Sequence, residues 1–512
     1  MRATRALRSA AVLGRVGRMK VNIVALRPWI LLAVSVLAVF WGVLAAPFHY
    51  DDYALLLDPA ITTASGWLDC FRLEQSRPLT WFSFWVNYQL SGANPAPWHA
   101  VNLALHLANS LVLWTSLRSL LPGRASWFAA FFFALHPIQT EAVAYVYARG
   151  ILLATLFCLV ALRLWIAGRR APAIVSFAMA LLAKEECAAF PAFLLLLHLS
   201  TNRDRRERLP IAVMFALSLA AVGRVAWLAA ATPGSGAGAQ SGIPPAEYFL
   251  TQGVALWRYL RLLAIPTGFS FEPGLSIETG GLAFLAWGGL AALAWLATRY
   301  FSGAGAGFWF LGALVLIAPT SSIFPATDLA ADRRVYLPMV AFASAVGLLL
   351  RRTDFPRLLW AGAVVLGMLS YVRVEVWRSQ EGLWEDAMRA APGAVRPRIQ
   401  LSRLRPPREA LALLEEAKQI APGDASVASE RGRVFMQLNQ PGEALKEYGE
   451  AVALRPDDAL AYNNRGAALL ALGLREHAES DFRRAVALDP CLKEARENLS
   501  RLGVRVDAPC RR

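Results

Sequence analysis

Charge is scarce in this chain. Asp, Glu, Lys and Arg make up 17% of its 512 residues, where a soluble globular protein carries about 25%. The shortfall excludes a chain wetted along its whole length. Cysteine is scarce too: there are five, Cys70, Cys158, Cys187, Cys491 and Cys510, and no two are spaced as CxxC. That removes the usual zinc and dithiol redox motifs. The odd count leaves at least one thiol unpaired, and Cys491 and Cys510 are the pair an oxidising compartment would join. The basic N-terminus, MRATRALRSAAVLGRVGRMK, lacks a small-residue cleavage site followed by a mature domain. It reads as a cytosolic flank and not a cleaved signal.

What is present is apolar. Hydrophobic residues make up 56% of the chain and the mean hydropathy is +0.41. Long apolar runs recur from Pro28 to about Val372, the pattern of a polytopic membrane protein. From Arg378 onward charges are dense and no spanning run remains, so a soluble domain begins near Val372–Trp377. The net charge is +15. In a soluble chain that would raise nucleic acid as a partner. Here the basic residues sit in short loops between apolar runs, so topology accounts for them and the bilayer is the partner.

With the basic N-terminal arm (residues 1–27) inside, the chain threads through about eleven spans. They are Pro28–Ala46, His99–Leu121, Trp127–His136, Ile151–Ile166, Pro172–Ala183, Cys187–Leu199, Ile211–Ala231, Gly280–Thr298, Phe308–Phe324, Tyr336–Leu350 and Arg357–Val372. Arg124, Arg169, Arg170, the arginines of TNRDRRERLP, Arg299, Arg351 and Arg352 then all fall inside, as the positive-inside rule requires. Tyr248–Ala264 carries Arg258 and Arg261 and reads as interfacial or re-entrant, because counting it as a span reverses the later loops. Several runs are shorter than the ~20 residues a bilayer needs, so their ends continue through polar flanks. This threading puts Asp51, Asp52, Arg77, Glu141, Arg149, Lys184, Glu185, Asp332, Arg333 and Arg334 on the outer face. Ionisable groups at a membrane boundary are costly without partners, so their convergence marks a candidate site.

The soluble part repeats. Ala425–Asp458 and Ala459–Leu492 are 34 residues each, with Gly432 and Gly466, Ala444 and Ala478, Tyr448 and Phe482, and Pro456 and Pro490 at matching positions. This resembles the tetratricopeptide repeat. A degenerate repeat with Ala410, Leu414, Ala417 and Pro422 precedes it, and Leu383–Pro392 matches a further second helix. Such arrays form concave peptide-binding surfaces; a plain structural cap is the alternative.

Asp51 and Asp52 in FHYDDYALLLDP stand directly after the first span. A carboxylate there serves as a general base, a metal ligand or a helix cap. Arg77, Arg149, Lys184, Arg333 and Arg334 match an anionic phosphate at headgroup level. His136 and Glu141 stand close enough in sequence to orient a base or bind metal. No ligand cluster marks a metal, so no cofactor is assigned and a divalent ion stays open. A base beside a phosphate clamp points to group transfer from a lipid-linked phosphate donor.

The ordered set Asp51-Asp52, RPLTWFSFWVNYQL (Arg77–Leu90), WHAVNLALHL (Trp98–Leu107), ALHPIQTEAVAYVYARG (Ala134–Gly150), LLAKEE (Leu181–Glu186), ADRRVYLP (Ala331–Pro338) and trailing repeats resembles one family. It is that of the transmembrane and tetratricopeptide-repeat O-mannosyltransferases and their bacterial relatives, in the type C glycosyltransferase superfamily. The resemblance implies an all-α fold, a polytopic helical membrane domain (residues 28–372) followed by a short α-solenoid. It implies a polyprenyl-phosphate sugar donor and inverting transfer to an acceptor hydroxyl on protein Ser or Thr. Asp51 matches the catalytic aspartate, with Asp52 its neighbour. Arg149, Lys184 and Arg333 match polar positions facing the donor phosphate, and Arg77, His136, Glu141, Glu185 and Arg334 complete the candidate substrate-binding set. The small number of repeats favours a bacterial relative in the inner membrane, with site and repeats on the periplasmic face. Residues 373–424 are expected to be juxtamembrane helices and a degenerate repeat, 425–492 two full repeats, and 493–512 a C-terminal helix and tail. Two other functions fit the same features: a membrane-anchored repeat adaptor for envelope proteins, and a polymerase or ligase of lipid-linked glycans.

Overall fold

The computed structural model describes residues 23–201, 207–231, 238–351 and 356–505. The arm up to residue 22, Arg203, Arg205, Arg206, the 232–237 stretch, Arg352 and Cys510 lie outside the described residues. Among the described residues every regular element is an α- or 3-10 helix, so the all-α expectation holds.

A helix occupies each of the eleven expected positions. Six are long and apolar enough to cross a membrane unaided: Pro28–Ala45, Pro95–Leu117, Val146–Ile166, Arg208–Ala231, Gly281–Thr298 and Leu359–Val376. They make the chain an integral membrane protein. The other five are Gly123–Leu135, Arg170–Ala183, Phe190–Thr201, Ala306–Ile317 and Pro338–Leu350, with 12 to 14 residues. At a rise of about 1.5 Å per residue they reach roughly 18–21 Å, short of the ~30 Å hydrocarbon core. The run expected over Phe308–Phe324 stops at Ile317, two residues before Pro319, which cannot donate to a continuing helix. Pro245–Ala264 forms one unbroken helix of 20 residues.

Small residues let these helices approach. Ala125 and Ala129 of Gly123–Leu135 face Gly347 of Pro338–Leu350, where an added Cβ would lie 2.5 Å from the Ala125 carbonyl oxygen. Such close backbone contact is how helices gain packing energy in lipid. One polar cluster inside the bundle ties three helices together. The Tyr336 hydroxyl meets His106 Nδ1 at 2.8 Å and accepts from Asn109 Nδ2 at 3.3 Å, and Asn109 also donates to the Leu152 carbonyl. These bonds fix the end of the ADRRVY segment and so the arginines before it.

The membrane core does not stop at the last span. Leu383, Trp384, Ala387 and Leu401 belong to the same apolar cluster as Leu32 and Phe40. Beyond them lie two helix pairs of the expected repeats, Ala425–Gln437 with Pro441–Leu454 and Ala459–Ala471 with Arg475–Leu488. The small-aromatic pairing is direct: a Cβ at Gly432 would lie 2.6 Å from the Tyr448 ring, and one at Gly466 would lie 2.7 Å from the Phe482 ring. Asn439 and Gly473, at equivalent positions in the two turns, both have positive φ, 56° and 79°. Asp424 and Asp458 cap the first helix of each pair by accepting from the backbone N–H groups of Ser426 and Leu460. Lys493–Arg501 closes the stack through Ala495 and Leu499.

Candidate functional site

The first span ends in a 3-10 turn, Trp41–Ala45, and the chain then bends through His49 and Tyr50 into a short helix, Asp52–Leu55. Tyr50 takes a left-handed φ of 43° to make the bend. The two carboxylates diverge from there. Asp52 is fully buried, and its oxygens accept from the backbone N–H of His49 at 2.9 Å and of Tyr147 at 2.7 Å. Burial, opposed by those donors, pushes the pKa of its carboxyl up to about 8. Asp51 is half-buried. Its Oδ2 accepts from the Tyr145 hydroxyl at 2.7 Å. Burial first, and then the charges of Asp51 and Asp52, hold that phenol protonated, so it donates.

Tyr145 links the base candidate to the cations. The Arg333 guanidinium lies 5.8 Å from the centre of the Tyr145 ring. Arg333 pairs with Glu141 at 2.5 Å and with Asp328 at 3.3 Å, and Glu141 also accepts from the Asp332 N–H at 3.0 Å. Arg258 pairs with Asp332 at 2.6 Å. Arg334 is buried, and its hydrogen bonds go to neutral oxygens: the Tyr248 hydroxyl and the Leu329 and Asp328 carbonyls. Tyr259 clamps the same loop by donating to the Ala331 carbonyl and accepting from its N–H.

A second group stands beside the first. Arg77 grips Glu185 with two hydrogen bonds, at 3.0 and 2.5 Å. Burial raises the Glu185 carboxyl, but Arg77 outweighs it and brings it down to about 2. Lys184 pairs with Glu186 at 2.7 Å. Burial lowers the Lys184 ammonium, and the charges of Arg77 and Arg333 act on it in the same direction. Between helices 245–264, 306–317 and 338–350 lies a small apolar pocket, lined by Leu256, Leu263, Ala313, Ile317, Val335 and Phe342 among others. Val335 is the neighbour of Arg334, so the pocket adjoins the cations.

Asp51, Glu141, Arg333 and Arg334 are thus brought together around Tyr145 and the 326–334 loop, with Arg77, Lys184 and Glu185 alongside. His136 and Arg149 are turned elsewhere. His136 is fully buried, accepts from the Ile138 N–H at 3.2 Å and packs between Phe132 and Phe269. Arg149 is also fully buried. It donates to Asn102, Asn87 and the carbonyls of Ser83 and Trp98, between the rings of Phe84 and Trp98. Among the described residues no group of three His, Cys, Asp or Glu is placed to hold a metal ion. Tyr145 and Glu186 lie inside the motifs that flag the site and Asp328 three residues before one, yet their residue types give no separate signal. Arg258 marked only an ambiguous helix.

Fold and site together define an integral membrane protein of helices, with ionisable groups gathered at one loop cluster and a tetratricopeptide array behind it. The array is matched by two family models, "TPR repeat" over residues 432–473 and "Tetratricopeptide repeat" over residues 459–490. The chain is similar to "Protein O-mannosyl-transferase TMTC3" of Mus musculus, 37% identical over 145 residues, covering 25% of this chain and 16% of the relative. "Protein O-mannosyl-transferase TMTC2" of Homo sapiens is 34% identical over 146 residues, covering 25% and 17%. These matches support the family read from the ordered motifs, and they span about a sixth of the length of those relatives. A solved structure, "ArnT from Cupriavidus metallidurans bound to Undecaprenyl phosphate", aligns with 84% of this chain and 80% of its own at 15% identity and a TM-score of 0.39. A likeness that distant carries no argument about donor or mechanism.

Proposed function

We propose that this protein is a glycosyltransferase that moves a sugar, mannose or a similar hexose, from a polyprenyl-phosphate donor to an acceptor hydroxyl. The favoured acceptor is Ser or Thr of a protein. The observation that carries the reading is the half-buried Asp51, held by a protonated Tyr145 whose ring is shared with Arg333. Asp51 takes the proton of the acceptor hydroxyl. The acceptor oxygen attacks the anomeric carbon from the face opposite the phosphate, the bond from that carbon to the phosphate oxygen breaks, and the configuration inverts. The departing phosphate is stabilised by Arg334, Lys184 and Arg333. Arg334 is the strongest of these because no carboxylate is among its hydrogen-bond partners. The neighbouring pocket offers the donor lipid an apolar wall, not a chamber.

The Gln380–Ala390 helix contacts the Asp51 loop, with Gln380 Nε2 donating to the Phe48 carbonyl at 3.3 Å. Site and repeats therefore share one side of the membrane domain. The arginine-rich loops on the opposite side support a non-cytosolic face, periplasmic in a bacterium. The test is to reconstitute the full chain in liposomes, supply a panel of polyprenyl-phosphate sugars and candidate acceptor peptides, and follow transfer. Transfer from one donor is the expected result. No transfer from any lipid-linked sugar, with the protein folded, would overturn it in favour of the adaptor function.

A further inference from the structure

The first helices after the last span do more than link two modules. Gln380 bonds the Phe48 carbonyl and the Tyr53 hydroxyl, on either side of Asp51. The Trp384 ring lies 5.7 Å from the Tyr50 ring, and Phe271 packs against both. From the next helix, Val395–Ser402, Arg396 reaches the same place. Its Nη1 lies 3.1 Å from Asp328 Oδ1 and 3.1 Å from Glu272 Oε2, and its guanidinium is 5.9 Å from the centre of the Tyr50 ring.

Asp328 is the shared element. Its Oδ1 meets Arg396 and its Oδ2 meets Arg333 at 3.3 Å. One carboxylate is divided between an arginine of the array and an arginine of the site. A carboxylate held by one cation competes less for a second, because each ion pair reduces the field the other feels. With Arg396 in place, part of the Asp328 charge is neutralised, and Arg333, already paired with Glu141, carries less of it. Without Arg396, more of the charge of Asp328 falls on Arg333.

We infer that Arg396 is a positioning residue: by holding Asp328 it leaves Arg333 available to an anionic lipid phosphate and couples the repeat array to donor binding. This rests on the reading that Arg333 faces the donor phosphate. Arg396 touches no reacting atom. It sets the charge and aim of a residue that does, and it stands on the same helix pair that packs against the Asp51 loop. A ligand that moves this helix pair would therefore alter affinity for the lipid.

The experiment is titration of undecaprenyl phosphate into the detergent-purified full chain, followed by tryptophan fluorescence. Arg396→Ala is expected to weaken binding about five- to tenfold, and Arg396→Lys to restore most of it. Asp328→Asn is expected to tighten binding, since it frees Arg333 of a competing charge. The double variant is expected to match Asp328→Asn alone, because Arg396 acts only through the charge of Asp328. Lost packing would not produce opposite signs that cancel in this way. Wild-type binding with no effect of Arg396→Ala overturns the inference and leaves the donor reading standing. So does a loss that persists undiminished in the Asp328→Asn background. No binding by the wild type overturns the donor reading and this inference with it.

Discussion

Replacing Asp52 by Asn separates the two adjacent carboxylates. Asp52 is fully buried and accepts two backbone N–H bonds, and burial raises its pKa from an ordinary 3.8 to about 8. Between those values the folded chain holds a proton that the unfolded chain has lost. Stability from this group is complete below about pH 4 and falls as pH rises through about 8. From pH 5 to pH 8, at about 1.4 kcal/mol per unit, the loss is about 3–4 kcal/mol. Asn keeps one acceptor oxygen, enough for His49 or Tyr147 but not both, a loss that is the same at either pH, and it cannot ionise. The assay is the apparent melting midpoint of the detergent-purified full chain, wild type and Asp52→Asn, at pH 5 and pH 8. Every other group titrates in both proteins, so the difference between them isolates Asp52. The wild type should lose several degrees more than the variant on going to pH 8. Parallel falls would refute a buried, proton-holding Asp52 that anchors the loop.

Tyr145→Phe keeps the ring that Arg333 stacks on and removes only the hydroxyl that donates to Asp51. A hydrogen bond to a charged group is worth about 1.5–3 kcal/mol, so turnover should fall about ten- to a hundredfold with donor affinity little changed; unaltered turnover speaks against a Tyr145-held base. In the array, Gly432→Ala drives a Cβ to 2.6 Å from the Tyr448 ring. Overpacking of that kind costs about 1–3 kcal/mol, so limited proteolysis of the full chain should cut sooner within residues 425–458. Tyr448→Leu in the same chain should slow that cleavage again, and equal cleavage rates would contradict the packing described.

Much of the fold was legible because the signals are long. Apolar runs, loop arginines and a 34-residue period each extend over many residues, so single ambiguous positions do not matter. The site was legible in outline. Counting crossings alone gathers charges spread from Asp51 to Arg334 on one face; Arg333 and Glu141 form an ion pair, and Asp51 reaches Arg333 only across Tyr145. What counting cannot supply is where a side chain points. Arg149 stands at the start of its helix, one residue before Gly150, yet its guanidinium runs inward to Asn87 and Asn102. His136 precedes a proline, and it caps its own turn instead of reaching Glu141. Nor does periodicity announce a shared carboxylate such as Asp328, whose partners lie 5 and 68 residues away. Helix ends were misplaced where polar flanks decide them, as at Ile317.

The central claim is that Asp51 is the base of an inverting transfer. The direct measurement uses the reconstituted full chain, the polyprenyl-phosphate sugar it accepts, and wild type beside Asp51→Asn. It reads both the amount of product and the anomeric configuration of the transferred sugar. The account predicts wild-type product of inverted configuration and a loss of at least about a thousandfold in the variant, with its melting midpoint unchanged. Product of retained configuration, or full activity in Asp51→Asn, would contradict it.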